Sequence, residues 1–192
     1  MDKKEKIREA ALKLLDYQDR TSSELREKLV KKGFSEEAVE EVALVLEESG
    51  LINDERYAAL YAQSKLNSGK GSRWIKQKLR EKGVSDEIIE NALQEVIDSG
   101  SAEDESVLCL RKALAICGLS DRFEIDEYGE ILPALYDAPV DYFSRKIKSG
   151  ETDRNTIRKE REKAKASLTR RLISAGFPSG AVFDAVRRIG EL

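Results

Sequence analysis

Between residues 70 and 82 the chain reads KGSRWIKQKLREK, six basic side chains against one glutamate. At 100° per helical residue, Ile75 and Leu79 share one apolar stripe, and Arg73, Lys76, Gln77 and Arg80 gather on the opposite face. Lys70 stands inside a Gly-x-Gly approach, Gly69 to Gly71, just ahead of that helix. Trp74, the one tryptophan, falls at the edge of the stripe, with Lys70 or Lys78 a turn away for cation–π contact. Such a face attracts carboxylate or phosphate surfaces; it equally suits a solvated helix, and Trp74 equally suits packing between modules. A second basic tract runs from Arg154 to Arg171 and includes Arg158, Arg170 and Arg171. Glu160 and Glu162 interrupt it, and Glu162 is placed to pair with Lys165 at i+3. That pattern fits a long solvated helix, or a nucleic-acid contact whose strength falls with salt.

Other chemistry is thinly represented. The chain has no histidine, which excludes Ser-His-Asp and Cys-His catalysis and His-based zinc sites. Cys109 and Cys117 are eight apart in a helical pattern, matching no metal signature and too distant for a disulfide. Two reduced, partly buried thiols are expected. There is no Gly-rich phosphate loop. The expectation is a chain with no catalytic, cofactor or metal site. The N-terminus lacks an apolar signal region and no run approaches spanning length, so a soluble, cytoplasmic, monomeric protein without membrane contact is expected. A net charge of −3 hides segregation: residues 36 to 55 hold eight acids and no base. Segregated charge favours partners with mixed surfaces over simple wrapping of nucleic acid.

The elements that must carry these residues repeat. KKGFSEEAVEEVA at 31 to 43 returns as EKGVSDEIIENAL at 81 to 93. Gly33 and Gly83 each follow a leucine by four, Leu29 and Leu79, and precede an apolar residue and a serine. A third copy holds Leu172, Gly176, Phe177, Val182 and Ile189 in the same relative places, with Pro178 for the serine. Each segment ends one helix on a glycine in the left-handed conformation and starts the next. Ser35 and Ser85 are expected to cap the new helix through their side chains, with acids in its first turn. Thr21 with Glu24 forms a capping-box pattern upstream. Ahead of each pair comes a third helix, and its starts also match: NDERYAAL at 53 and EDESVLCL at 103.

The expected fold is therefore all-α: tandem three-helix repeats in an elongated array. Repeat 1 covers 1–50, repeat 2 covers 51–100, and repeat 3 covers 101–192. Gly33 and Gly83 lie 50 residues apart but Gly83 and Gly176 lie 93 apart, so repeat 3 holds an insertion at about 119–161. The insertion holds two of the three prolines and five of the eleven Phe and Tyr residues. RFEID there reads as extended, with Tyr128-Gly129 a turn, so a hairpin is expected. Packing elaboration and added partner surface are both open.

Two stretches, ALKLLDYQDRTSSELREKLVKKGF at 11 to 34 and Gly50 to Leu93, resemble the RecX regulatory family. The matching pattern is Asp54, Arg56, Tyr57 and Ala58, then Gly69 and Gly71, then Leu79, Lys82 and Gly83. The likeness covers residues 5 to 118 well and 162 to 190 loosely, and leaves the insertion out. It implies a bacterial modulator of the RecA recombinase that binds the RecA–DNA filament, including its single-stranded DNA, and suppresses ATPase, strand-exchange and co-protease activity. Weak direct DNA binding is compatible with it. The contact candidates are then Lys70, Arg73, Trp74, Lys76, Gln77, Arg80, Arg158, Arg170 and Arg171. The alternative is a helix-turn-helix array that binds DNA without RecA. Asp86, Glu87 and Glu90 at the start of the would-be reading helix oppose that alternative, because acids there repel phosphate.

Overall fold

The computed structural model describes residues 3–101, 103–126, 129–133 and 154–191. Its helices are α1 (Lys3–Tyr17), α2 (Ser22–Lys31), α3 (Glu36–Glu48), α4 (Asp54–Asn67), α5 (Ser72–Glu81), α6 (Asp86–Asp98), α7 (Glu105–Cys117), α8 (Arg154–Ser174) and α9 (Ser179–Glu191). Two short strands, β1 (Phe123–Ile125) and β2 (Ile131–Pro133), pair antiparallel with Ile125 opposite Ile131. The expected all-α architecture is thus present, and the insertion contributes a hairpin. Gly129 takes the left-handed conformation at φ 79° in its turn. Tyr128 and most of the rest of the insertion, 134–153, lie outside the described residues.

The chain divides into two compact units. One comprises residues 1–64 and 76–101; the other comprises 65–75 and 102–192. In the first, α1 packs on α2 and α3. Ile7, Ala11, Leu25, Leu29, Val39, Val42 and Leu46, at the helical spacing that sets an apolar stripe, form its buried cluster with Ile52 from the α3–α4 connection. In the second, α7, α8 and α9 pack against one another. Cys109, Leu110, Leu172, Phe177, Val182 and Ile189 are buried there.

The repeated turns form as their residues require. Gly33, Gly83 and Gly176 have φ of 91°, 79° and 91°. After each, the apolar residue donates its N–H to the leucine carbonyl five back, Phe34 to Leu29 at 3.4 Å, Val84 to Leu79 at 3.1 Å and Phe177 to Leu172 at 3.4 Å. Thr21 and Glu24 form the reciprocal capping box. Ser85 accepts from the Ile88 N–H at 3.4 Å. Ser35 departs from expectation: its side chain makes no cap bond and instead accepts from Lys3 Nζ at 3.5 Å. α9 starts at Ser179 behind Pro178, whose carbonyl accepts from the Val182 N–H at 3.0 Å.

These turns also dock, and the docking is written twice. In the first unit the Gly83 turn lies against the start of α2. A Cβ on Gly83 would fall 2.3 Å from the Ser23 side chain. Thr21 Oγ1 donates to the Lys82 carbonyl at 2.6 Å, and Lys82 Nζ pairs with Glu24 at 2.7 Å. In the second unit the Gly176 turn lies against the start of α5. Gly71 N–H donates to the Ala175 carbonyl at 2.9 Å, and Arg73 N–H to the Gly176 carbonyl at 3.1 Å. A Cβ on Gly71 would fall 2.3 Å from the Gly176 backbone. Thr21 and Gly71 hold equivalent positions. A hydroxyl makes the contact in one case; where no side chain intervenes, the backbone itself makes it.

A carboxylate from the first residue of α4 or α7, two helices on, completes each site. Ser22 N–H donates to Asp54 Oδ1 at 2.8 Å, and Ser72 N–H to Glu105 Oε1 at 2.6 Å. Each satisfies an orphan donor in a helix's first turn and places negative charge at the positive end of its dipole. Burial raises the pKa of Asp54 above the usual carboxylate value, against the lowering effect of the Ser22 hydrogen bond.

Gly71→Ala is expected to lower unfolding free energy by about 2–3 kcal/mol in urea denaturation, since two backbones must separate. Gly180→Ala, where nothing lies within 4 Å, is the control and should be neutral. Asp54→Ala, which strands the buried Ser22 N–H, should cost about 1–3 kcal/mol. Asp54→Asn keeps an acceptor and should cost less. Ionised Asp54 is penalised only above its raised folded pKa. The wild type should therefore gain on the Asn variant as pH falls through that pKa.

Candidate functional site

In the second unit an open groove of about 530 Å³ is lined by Lys70, Lys112, Ile116, Ser167, Arg170, Arg171, Ser174 and Ala175. Three segments supply these residues: the Gly-x-Gly loop, α7 and α8. No acid lines it. Lys70 is held at the groove by the loop that Gly71 docks, and its Nζ lies 5.0 Å from the Trp74 ring centroid. Of the two lysines within a turn of Trp74, Lys70 makes the contact; Lys78 pairs with Glu81 at 2.6 Å. Trp74 is half-buried, and its Cβ would be 2.3 Å from a Cβ on Gly176, so it also packs within the unit. Lys112 lies along Gly69, 3.3 Å from the position of a Cβ there. Arg170 and Arg171 are exposed on the last turns of α8. None of these four cations forms an ion pair among the described residues. Arg73 does not line the groove; it is exposed in the first turn of α5. Arg158 lies elsewhere, twelve residues before Arg170 on α8 and therefore about 18 Å away. It shares a separate depression with Arg161, Glu162 and Lys165. The expected Glu162–Lys165 pair is present at 3.7 Å.

The remaining candidates belong to the first unit. Ile75 and Leu79 are fully buried, so the expected faces of α5 are correct. Lys76, however, is bound to both oxygens of Glu90, at 2.5 and 2.7 Å. The equivalent pair recurs in the first repeat, where Arg26 holds Glu40 at 2.6 and 3.2 Å. Arg80 pairs with Asp86 at 2.5 Å, and Gln77 donates to Glu81 at 3.1 Å. The acids that start α6 thus neutralise two cations of the α5 face. Lys82 sits over the Tyr57 ring at 5.5 Å, and Tyr57 stacks on Tyr61 with centroids 6.0 Å apart. Burial opposes the charge on Lys82, but Glu24 and Tyr57 outweigh it and raise its pKa. This cluster braces the docked turn.

Two family models match the chain: RecX, first three-helix domain, over residues 8–43, and RecX, second three-helix domain, over 53–93. The chain belongs to the RecX family. The Regulatory protein RecX of Clostridium perfringens (strain 13 / Type A) is 38% identical over 71 residues, covering 37% of this chain and 33% of that protein. That of Vibrio cholerae (strain ATCC 39315 / El Tor Inaba N16961) is 41% identical over 69 residues, covering 36% of this chain and 45% of that protein. The matched segment thus spans a third to under half of these relatives. The crystal structure of RecX from Lactobacillus salivarius superposes with a TM-score of 0.65 at 23% identity, covering 97% of this chain and 96% of that one. A second RecX crystal structure gives 0.63 at 25% identity, covering 97% and 72%.

Within this RecX-family chain, Lys112 is the groove residue that sequence reading missed. It falls outside both basic tracts, and only the packing of α7 beside the Gly69 loop brings it in. Among the described residues no group of three His, Cys, Asp or Glu side chains could hold a metal ion, and no helix is long and apolar enough to cross a membrane. Cys109 is fully buried, and that burial, with Glu105 and Asp184 nearby, pushes its thiol up to about 12. Its thiolate at pH 8 is then scarcer by about a thousandfold than that of an ordinary cysteine. An aromatic disulfide reagent should titrate Cys117 alone in the native protein, and both thiols after unfolding. Rapid native reaction of both would contradict the buried placement.

Proposed function

We propose that this chain is a cytoplasmic, monomeric regulator that binds the RecA–DNA filament and inhibits RecA's recombinase, ATPase and co-protease activities. The observation that carries the reading is the ordered pair of RecX three-helix domains, in relatives named as regulatory proteins. The surface assigned to contact centres on Lys70, Arg73, Arg170 and Arg171, whose charges are not spent on ion pairs among the described residues. Trp74 supports Lys70. Lys76, Gln77 and Arg80 are peripheral in this reading because acids on α5 and α6 already engage them, and Arg158 because it lies apart from the groove on α8. The absence of histidine and of any metal-ligand cluster among the described residues supports a role in binding rather than catalysis.

The alternative is a DNA-binding helix-turn-helix array independent of RecA. The start of α6 disfavours it, since Asp86, Glu87 and Glu90 are exposed where a reading helix would approach phosphate. RecA ATPase on single-stranded DNA, with this protein added below the RecA concentration, separates the readings. Inhibition with co-sedimentation on filaments is expected. An Arg73→Glu/Arg171→Glu variant should inhibit at least tenfold less potently. No inhibition and no co-sedimentation would exclude the filament reading.

A further inference from the structure

We infer that the face of the first repeat where the Gly33 turn meets α1 is a docking surface for an acidic peptide segment of a partner protein. The equivalent turns of the later repeats are engaged: a Cβ on Gly83 or Gly176 would meet a residue in the first turn of α2 or α5 at 2.3 Å. On Gly33, which shares their left-handed backbone, a Cβ would meet nothing within 4 Å. The first helices of the three repeats align through residues buried four apart: Ile7 and Ala11, Ala58 and Ala62, Cys109 and Ala113. That register sets Lys3 against Asp54 and Glu105, the two carboxylates that hold a helix start. It sets Lys6 against Tyr57, which lies under Lys82, and against Leu108, which is buried. The first repeat thus places lysine at both positions. Its face repels the positive end of a helix and attracts carboxylates. A groove of about 480 Å³ opens there, lined by Lys6, Glu9, Lys13, Tyr17, Arg20 and Lys32. Lys13 holds Glu9 at 2.7 Å. Lys3, Lys6, Arg20 and Lys32 form no ion pair among the described residues. Lys3 donates to Ser35 beside the turn, and Arg20 Nε donates to the Leu14 carbonyl at 3.2 Å, which fixes the guanidinium at the groove. The Tyr17 ring is 84% exposed. An aromatic anchor among cations, in a chain with a net charge of −3, goes beyond the polar outer face that any terminal repeat needs. The occupant is peptide rather than nucleic acid. The same turn takes protein in both later repeats, and Glu9 opposes a strand charged at every residue. A peptide can space its carboxylates to avoid Glu9 and rest an apolar side chain on Tyr17 and Leu14.

The inference does not rest on the filament reading. It is tested without RecA, so its failure leaves that reading standing. The full chain, labelled with heavy nitrogen, is titrated with a short synthetic peptide of glutamates flanking one phenylalanine, and its amide resonances are followed. The amides of Tyr17, Arg20, Gly33 and Phe34 should shift together. That of Gly83, whose turn is already docked, should stay in place. Lys6→Glu/Lys32→Glu should weaken peptide binding by roughly tenfold, the worth of two exposed ion pairs. Tyr17→Ala should weaken it severalfold. Arg171→Gln, in the groove of the second unit, and Arg187→Gln, paired with Asp184, should leave it unchanged. The substituted side chains at 6, 17 and 32 are exposed, and circular dichroism of each variant verifies that the helices remain. Absence of shifts at Tyr17 and Gly33 with the peptide in large excess would overturn the inference, as would undiminished binding by the double variant. So would shifts confined to the groove around Lys70, or equal shifts at Tyr17 and Gly33 with oligothymidylate, which would assign the face to nucleic acid.

Discussion

The structure turns on how closely two backbones approach at the start of a helix. A helix's first turn exposes N–H groups that its own carbonyls cannot reach. In this chain the start of α5 satisfies its donors with the Gly176 turn and with Glu105, whereas the start of α2 satisfies its own with the Thr21 cap and Asp54 and reaches the Gly83 turn through the Thr21 hydroxyl. At α5 the approach is tight enough that neither Gly71 nor Gly176 could carry a side chain without collision. Each glycine therefore does two things. It lets the chain reverse, and it leaves room for the contact that fixes a helix start.

That contact also decides what the site contains. Docking Gly71 onto the Gly176 turn holds Lys70 on the side of α8 where Arg170 and Arg171 emerge one to two turns before the same glycine. Packing of α7 against α8 and α9 adds Lys112. The charge of the groove is thus a consequence of the same backbone geometry that orders the unit. Elsewhere the repeat spends its charges internally. Arg26 with Glu40 and Lys76 with Glu90 occupy equivalent places. The third repeat has Thr169 and Phe183 there, so no such ion pair forms.

Much of this was legible in the sequence because it rests on local rules. Turn glycines, the Thr21 capping box and the buried stripe of Ile75 and Leu79 follow from backbone conformation and helical period, and all are present. RFEID was readable as extended because β-favouring residues precede a glycine turn. The site was less legible, because ion pairing is tertiary. Nothing in KGSRWIKQKLREK says that Lys76 and Arg80 meet acids from α6 while Lys70 meets none among the described residues. Nothing in the α7 sequence marks Lys112. The Gly-x-Gly looked like an approach to the basic helix; its main role is the close contact with a turn more than a hundred residues on. Ser35 makes no cap bond, and its hydroxyl accepts from Lys3, a partner no local pattern contains.

Amide hydrogen exchange at Gly71 and Arg73 tests this account most directly. Both N–H groups precede or begin α5 and would exchange as loop donors if the turns did not dock. Bonded to Ala175 and Gly176, they are expected to exchange at least a hundredfold more slowly than an unprotected loop amide, and to lose that protection in Gly176→Ala while the interior amides of α8 keep theirs. Exchange of Gly71 and Arg73 at the rate of an open loop in the unmodified protein would contradict it.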